Sequence, residues 1–273
     1  MFQTRNETGG CRIFTKSFKR GEEMDIKGKK AIVTGSGQGI GRGIALKLAQ
    51  YGADIAISDI NETAAQQTKD EVEKAYGVKA IVVKTDVTKL EETEMMVKTV
   101  LDKFGRIDIL VNNVGWDIAQ PFWQTTEEFR QKIIDINYKG LVNCSFHVVK
   151  HMIENQAGKI VSIASDAGRV GSMGETVYAG CKGGVIAFTK SLAREVARYK
   201  INVNCVSPGP TDTPGHVEGT TEKLREALKK AIPFGRVATP EELGNAVLFF
   251  ASPLSDYVTG QVLSVSGGLT MVD

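Results

Sequence analysis

No two cysteines in this 273-residue chain stand in a C-x-x-C pair, and four in all are too few for a secreted disulfide framework. Cys11, Cys144, Cys181 and Cys205 therefore read as reduced thiols of a cytoplasmic protein. Histidine is scarcer still. His147 and His151 have helical i, i+4 spacing but lack the glutamate that a zinc-protease helix places between them, so they are expected on a helix surface and no metal site is expected. No apolar run approaches the roughly 20 residues that cross a bilayer. A formal net charge of +2 provides no field to attract nucleic acid or an anionic membrane. The remaining class is a globular protein that handles small molecules, in keeping with 42% hydrophobic and 24% charged residues.

The first 23 residues lack the apolar core of a secretory signal and are polar, glycine-interrupted and basic (Arg5, Arg12, Lys16, Lys19, Arg20). They are expected to form a disordered extension, with one domain over residues 24–273. Gly21-Glu22-Glu23 would be encoded by purine-rich codons resembling a ribosome-binding site, which makes Met24 an alternative start. A transit peptide is opposed by Glu7, Glu22 and Glu23.

From Lys29 onward, short β-branched runs alternate with longer amphipathic stretches. Strands are expected at Ala31 to Thr34, Asp54 to Ser58, Ala80 to Thr85, Ile107 to Asn112, Lys159 to Ile163, Asn202 to Val206 and Gln261 to Val265. Helices are expected at Gly41 to Tyr51, Glu62 to Tyr76, Glu91 to Phe104, Glu127 to Glu154, Glu175 to Tyr199 and Pro240 to Ala251. Such an alternation folds as an α/β doubly wound domain of Rossmann type, a seven-stranded parallel sheet with helices on both faces. Residues 209–236, rich in Pro, Gly and Thr around a helical stretch at Glu222 to Ala231, read as a lid.

The first strand runs into Gly35-Ser36-Gly37-Gln38-Gly39-Ile40-Gly41 and a helix follows at once. Glycines allow a tight turn and close approach to a pyrophosphate at the helix start, and Asp59 closes the second strand where it can accept hydrogen bonds from ribose hydroxyls. An acid there repels the extra phosphate of NADP, so the expected cofactor is NAD. Arg42 is the one nearby cation that would blunt this preference.

Further motifs follow. Tyr178 and Lys182 share one helix face, Ser165 ends the fifth strand, and Asn112-Asn113-Val114-Gly115 ends the fourth. With the glycine turn and Pro208-Gly209, these resemble the classical short-chain dehydrogenase/reductase family from Lys29 to the C-terminus. The resemblance implies that Tyr178 is the general base in oxidation, Ser165 binds the substrate oxygen, Lys182 holds the nicotinamide ribose and lowers the tyrosine pKa, and Asn137 anchors a proton-relay water. It implies adenine contact at Asp86 and Val87, and further cofactor contacts at Asn112, Val114, Gly115, Pro208, Gly209, Thr211 and Thr213. Cys181 points off the Tyr178 face and reads as packing.

Longer strings, including Trp116-Asp117, Ser162 to Ala167 and Gly260 to Met271, resemble members of that family that oxidise a ring hydroxyl on an acyl-CoA in aromatic and alicyclic acid breakdown. Trp116, Phe122, Trp123, Val170 and Met173 are candidates for an apolar substrate wall, and Lys223, Arg225, Lys229, Lys230 and Arg236 for contacts to coenzyme A phosphates. The competing activities are an NADPH-linked 3-oxoacyl carrier-protein reductase, which Asp59 disfavours, and a sugar or polyol dehydrogenase, which should want a more polar pocket. An NAD-binding regulator on the same fold is opposed by the intact Asn137, Ser165, Tyr178 and Lys182 set. Apolar residues on several faces of the two long helices, and the habit of the family, imply a homotetramer.

Overall fold

Seven of the β-branched runs become strands of one parallel sheet, in a computed structural model that describes residues 2–5, 11–14, 24–215 and 221–272. The strands are β3 (Lys30–Thr34), β4 (Asp54–Asp59), β5 (Ala80–Lys84), β6 (Ile109–Asn112), β7 (Gly158–Ile163), β8 (Ile201–Pro208) and β9 (Val262–Val265), in the spatial order β5-β4-β3-β6-β7-β8-β9. Every neighbouring pair is parallel. From β3 the chain winds outward through β4 and β5, then returns to lay β6 on the other side of β3. The order reverses between β3 and β6, and that crevice at the carboxyl ends is where such a sheet holds a ligand.

Period-two alternation divides each central strand between two cores. Ala31, Val33, Ile55, Ile57, Ile109 and Val111 face one layer with Ile44, Leu48, Val72 and Val247, from helices Gly39–Gln50, Glu62–Tyr76 and Pro240–Ala251. Ile32, Ala56, Leu110 and Ile160 face the other with Met96, Val100, Val148, Met152 and Val196, from helices Leu90–Phe104, Gly140–Asn155 and Thr176–Val196. Burying both faces explains why these strands read as nearly continuous apolar runs. Helix starts are marked locally: Asn61 caps Ala64, and Thr239 and Glu242 form a reciprocal capping box ahead of Pro240.

Four features differ from the sequence reading. The expected helix over Glu127 to Glu154 is three pieces, Glu127–Ile134, a π turn Asp135–Lys139, and Gly140–Asn155. The helix expected to Tyr199 tightens into a 3-10 turn at Ala197–Tyr199. Within the extension expected to be disordered, β1 (Phe2–Arg5) pairs antiparallel with β2 (Cys11–Phe14); its other residues lie outside the described ones. The histidine pair is not a plain surface face, since the His151 ring accepts from the Ile107 backbone N–H at 3.2 Å. In the lid, the Glu222–Ala231 helix forms as expected, while His216 and its neighbours to residue 220 lie outside the described residues.

Candidate active site

The crevice between β3 and β6 opens with the glycine turn. Gly35 takes φ +64°, and a Cβ on Gly41 would lie 2.1 Å from the Gly35 carbonyl oxygen, so the first helical turn sits directly on the strand end. Gln38 caps the Gly39–Gln50 helix without a side-chain hydrogen bond, which leaves the first N–H groups free to meet an anion. Ser36 is drawn inward, its hydroxyl donating to the Val33 carbonyl at 2.6 Å. Ile40 packs partly buried against the core. Thr213 lies against the turn from above: a Cβ on Gly39 would stand 3.5 Å from its methyl. Thr211 is buried and donates to the Gly209 carbonyl at 3.0 Å, so the chain after Pro208 is held over the crevice.

Asp59 ends β4 and turns back to the turn, accepting from Gly37 N–H at 2.8 Å on one oxygen and from Asn61 N–H at 2.9 Å on the other. Each oxygen keeps a lone pair for a hydroxyl donor. Arg42, the one cation that threatened an NAD preference, donates to Glu71 from Nε at 3.0 Å and from Nη2 at 2.7 Å. The uncapped helix start and this free carboxylate fit a pyrophosphate and an unphosphorylated ribose.

Asn113, unassigned in the sequence reading, locks β6 to the turn: its N–H donates to Thr34 Oγ1 at 3.0 Å and its amide to the carbonyls of Thr34 and Gly35 at 2.9 and 3.0 Å. Its signal was the doubled Asn at the strand end. Asn112 donates to Ser145 Oγ at 3.0 Å and keeps a buried carbonyl oxygen without a partner. Asp86 faces its own loop, accepting from the hydroxyl of Thr88 at 2.7 Å. Val87 lines a small open cleft with Asn112, Val114, Asn137, Ile163 and Lys182.

Of the side chains expected to carry the chemistry, Asn137 and Lys182 line that cleft, and Tyr178 lines the space next to it. Lys182 is buried, donates to the Ile163 carbonyl at 3.0 Å, and lies 5.5 Å from the centre of the Tyr178 ring. A Cβ on Gly115 would touch both Lys182 Nζ and Asn137 Oδ1 at 3.2 Å, which places those two groups side by side. Asn137 sits in the π turn; its amide donates to the Trp116 and Ile133 carbonyls at 2.7 and 2.9 Å, and its oxygen accepts from Trp116 N–H at 3.1 Å. A π turn frees backbone groups from the regular ladder, and here a side chain claims one of them. Ser165, two residues past the end of β7, accepts from Ala167 N–H at 3.2 Å and lies near enough to the Tyr178 hydroxyl to lower its phenol.

Burial raises the Tyr178 phenol above its ordinary value, and the Ser165 hydroxyl works against that rise. Burial lowers the Lys182 ammonium to about 8, so it still carries charge at neutral pH. Cys181 is buried, as its packing role implies, and burial raises its thiol. The arrangement can hold a proton on a phenol oxygen beside the Ser165 hydroxyl, with an ammonium 5.5 Å from the ring centre.

The expected substrate wall is placed differently. Trp116 turns onto the Glu127–Ile134 helix, edge-on to Phe129 at 5.9 Å and under Lys132 at 3.9 Å. Val170 is 56% exposed and Met173 99% exposed, on the loop after β7, so they stand as a rim, not a wall. Of the expected wall residues Phe122 does line the space beside Tyr178, together with Phe129, which the sequence reading did not single out. Of the lid cations, Arg236 pairs with Glu242 at 2.6 Å and Lys229 with Glu226 at 2.7 Å. Among the described residues no cluster of metal-ligating side chains occurs, and no helix is long and apolar enough to cross a membrane.

A family model described as enoyl-(acyl carrier protein) reductase matches residues 35–270. The chain is 41% identical to a 3-oxoacyl-[acyl-carrier-protein] reductase of Chlamydia muridarum (strain MoPn / Nigg) over 88% of this chain and 97% of that protein. It is 40% identical to the (2S)-[(R)-hydroxy(phenyl)methyl]succinyl-CoA dehydrogenase subunit BbsD of Thauera aromatica, over 91% and 99%. Among solved structures, 7α-hydroxysteroid dehydrogenase complexed with NADH and 7-oxo glycochenodeoxycholic acid superposes with TM-score 0.88 at 31% identity, covering 92% of this chain and 98% of that one. Sheet order, glycine turn and these relatives agree, and the chain belongs to the short-chain dehydrogenase/reductase family of oxidoreductases that act on hydroxyl and keto groups.

Proposed function

We propose that the protein oxidises a secondary hydroxyl on the ring of a hydroxyacyl-CoA thioester, a substrate like 2-hydroxycyclohexanecarboxyl-CoA, with NAD as the electron acceptor. Tyr178 takes the hydroxyl proton, Ser165 holds the reacting oxygen, Lys182 positions the ribose and stabilises the phenolate, and Asn137 anchors a water behind them. When bound, the nicotinamide supplies the hydride-accepting carbon. A buried phenol is a poor base at neutral pH, so the work of this chain is to place positive charge beside it. Lys182 has donors left over after its bond to Ile163 and is near enough to do so.

The observation that carries the cofactor half is the lone carboxylate of Asp59 with Arg42 sequestered by Glu71. A phosphate on the ribose would meet that carboxylate with no free cation supplied by Arg42. Asp59→Ala is expected to raise the NADP-to-NAD ratio of kcat/KM by at least about tenfold, the scale of a removed like-charge clash. Unchanged discrimination refutes the role.

The substrate half is supported by the relative named for a hydroxyacyl-CoA-type reaction and by the apolar faces of Phe122 and Phe129 beside Tyr178. The deciding assay is NAD reduction against cyclic hydroxyacyl-CoA thioesters, their free acids and simple polyols. The cyclic thioester is expected to give the largest kcat/KM, and a polyol that outruns it sinks the reading. A second reading, reduction of a 3-oxoacyl thioester on a carrier protein, is favoured by the 41% identical reductase. It would show as faster turnover in the reducing direction with NADPH than with NADH.

A further inference from the structure

Beside Tyr178 a second, small open cleft lies between the loop after β6 and the start of the Thr176–Val196 helix. The Gln120 N–H donates to the Gly174 carbonyl at 2.9 Å and fastens the two loops together across it. Phe122, Phe129 and Ile133 make its walls apolar, and its charged side chains are two carboxylates, Asp117 and Glu175. No lysine, arginine or histidine lines it among the described residues. Asp117 keeps one carboxylate oxygen buried without a hydrogen-bond partner. Burial, with the negative charge of Glu175 acting the same way, pushes its carboxyl up to about 6. Both acids also act on Tyr178, raising its phenol. Lys132 lies over the Trp116 ring, Lys182 donates to the Ile163 carbonyl 5.5 Å from the Tyr178 ring centre, and Arg130 donates to the carbonyl and hydroxyl of Thr125, a lining residue.

A 2-hydroxy ring acid carries its carboxyl on the carbon next to the carbinol. With the hydroxyl seated at Tyr178, a residue that lines this cleft, one orientation of the ring puts the carboxyl group in it. Ionised, it meets two like charges and no cationic side chain among those that line the cleft; masked as an ester, amide or thioester, it meets no such repulsion.

We infer that Asp117 and Glu175 are specificity-determining residues that exclude an ionised carboxylate beside the reacting hydroxyl and admit the same skeleton when that carboxyl is a neutral acyl derivative such as a thioester. This rests on the proposed 2-hydroxyacyl class of substrate, and it holds whichever carrier bears the thioester. A buried acceptor that finds no partner in the protein is a cost to the fold, and selectivity is the return that this geometry offers.

The test compares kcat/KM for trans-2-hydroxycyclohexanecarboxamide and for the free acid, with NAD at pH 8, in the parent and in Asp117→Asn, Glu175→Gln and the double variant. The amide-to-acid ratio is expected to be at least about tenfold in the parent and to fall by at least about tenfold in the double variant, with each single variant between. Where turnover is slow, inhibition constants of the two compounds give the same ratio. A parent that prefers the acid, or a ratio that the double variant leaves unchanged, overturns the inference. A cyclic hydroxyacyl-CoA that is no better a substrate than the amide sinks the acyl-CoA reading instead, and leaves the ratio standing.

Discussion

Tyr178→Phe is expected to lower turnover in both directions by about 10²–10⁴-fold, the range for losing one positioned acid or base, while NADH binding, read from the cofactor's fluorescence, stays close to that of the parent. The hydroxyl is the one atom lost, and the ring keeps its place beside Lys182 and on the helix that begins at Thr176. An interaction formed only as the proton moves changes kcat and not ground-state affinity. Turnover within tenfold of the parent would remove Tyr178 from the chemistry. Loss of binding in step with turnover would show instead that the ring holds the cofactor, a different role from the one proposed.

Lys182→Met should separate activity from stability in opposite directions. The ammonium is buried and its folded value lies at about 8, against 10.5 in the unfolded chain. The folded state thus disfavours the charged form. Between about pH 8 and 10.5 the unfolded chain binds more protons, so stability rises with pH across that window, and below pH 8 the full cost is present. At about 1.4 kcal/mol per pKa unit this is on the order of 3 kcal/mol. Methionine removes the charge at similar volume but leaves the Ile163 carbonyl without its donor, which returns about 1 kcal/mol. The net expectation for the cofactor-free protein at pH 7 is a gain of roughly 2 kcal/mol, a Tm higher by about 4–8 °C, with turnover lost. The gain should shrink by pH 10. A variant less stable than the parent at pH 7 would mean that the lysine is not a stored cost.

Much of this was legible in the chain before any coordinates. The seven strands were readable because a sheet covered on both faces writes its strands as continuous β-branched runs. Tyr178, Lys182 and Asn137 could be grouped through spacing and resemblance, and the structure sets Lys182 beside Asn137 and 5.5 Å from the Tyr178 ring centre. The π turn was not legible, since Asp135 to Lys139 carry no residue that a regular helix rejects; the extra residue is held by tertiary bonds from Asn137 to Trp116. Nor was the direction of the Trp116 ring, which follows from a cation and an aromatic one helix away. Asp117 and Glu175 lie 58 positions apart, and only the pairing of Gln120 with Gly174 makes them neighbours.

The five-residue π turn also works as a phase shifter. Upstream, Phe129 and Ile133 look toward Tyr178; downstream, Cys144, Val148 and Met152 look into the sheet. Each residue advances a helix by about 100°, so excising one from the turn would swing everything beyond it by that angle and take either the core side chains off the sheet or the aromatic pair off the cleft. One surplus residue lets a single rod serve two surfaces that a regular helix of the same length would have to choose between.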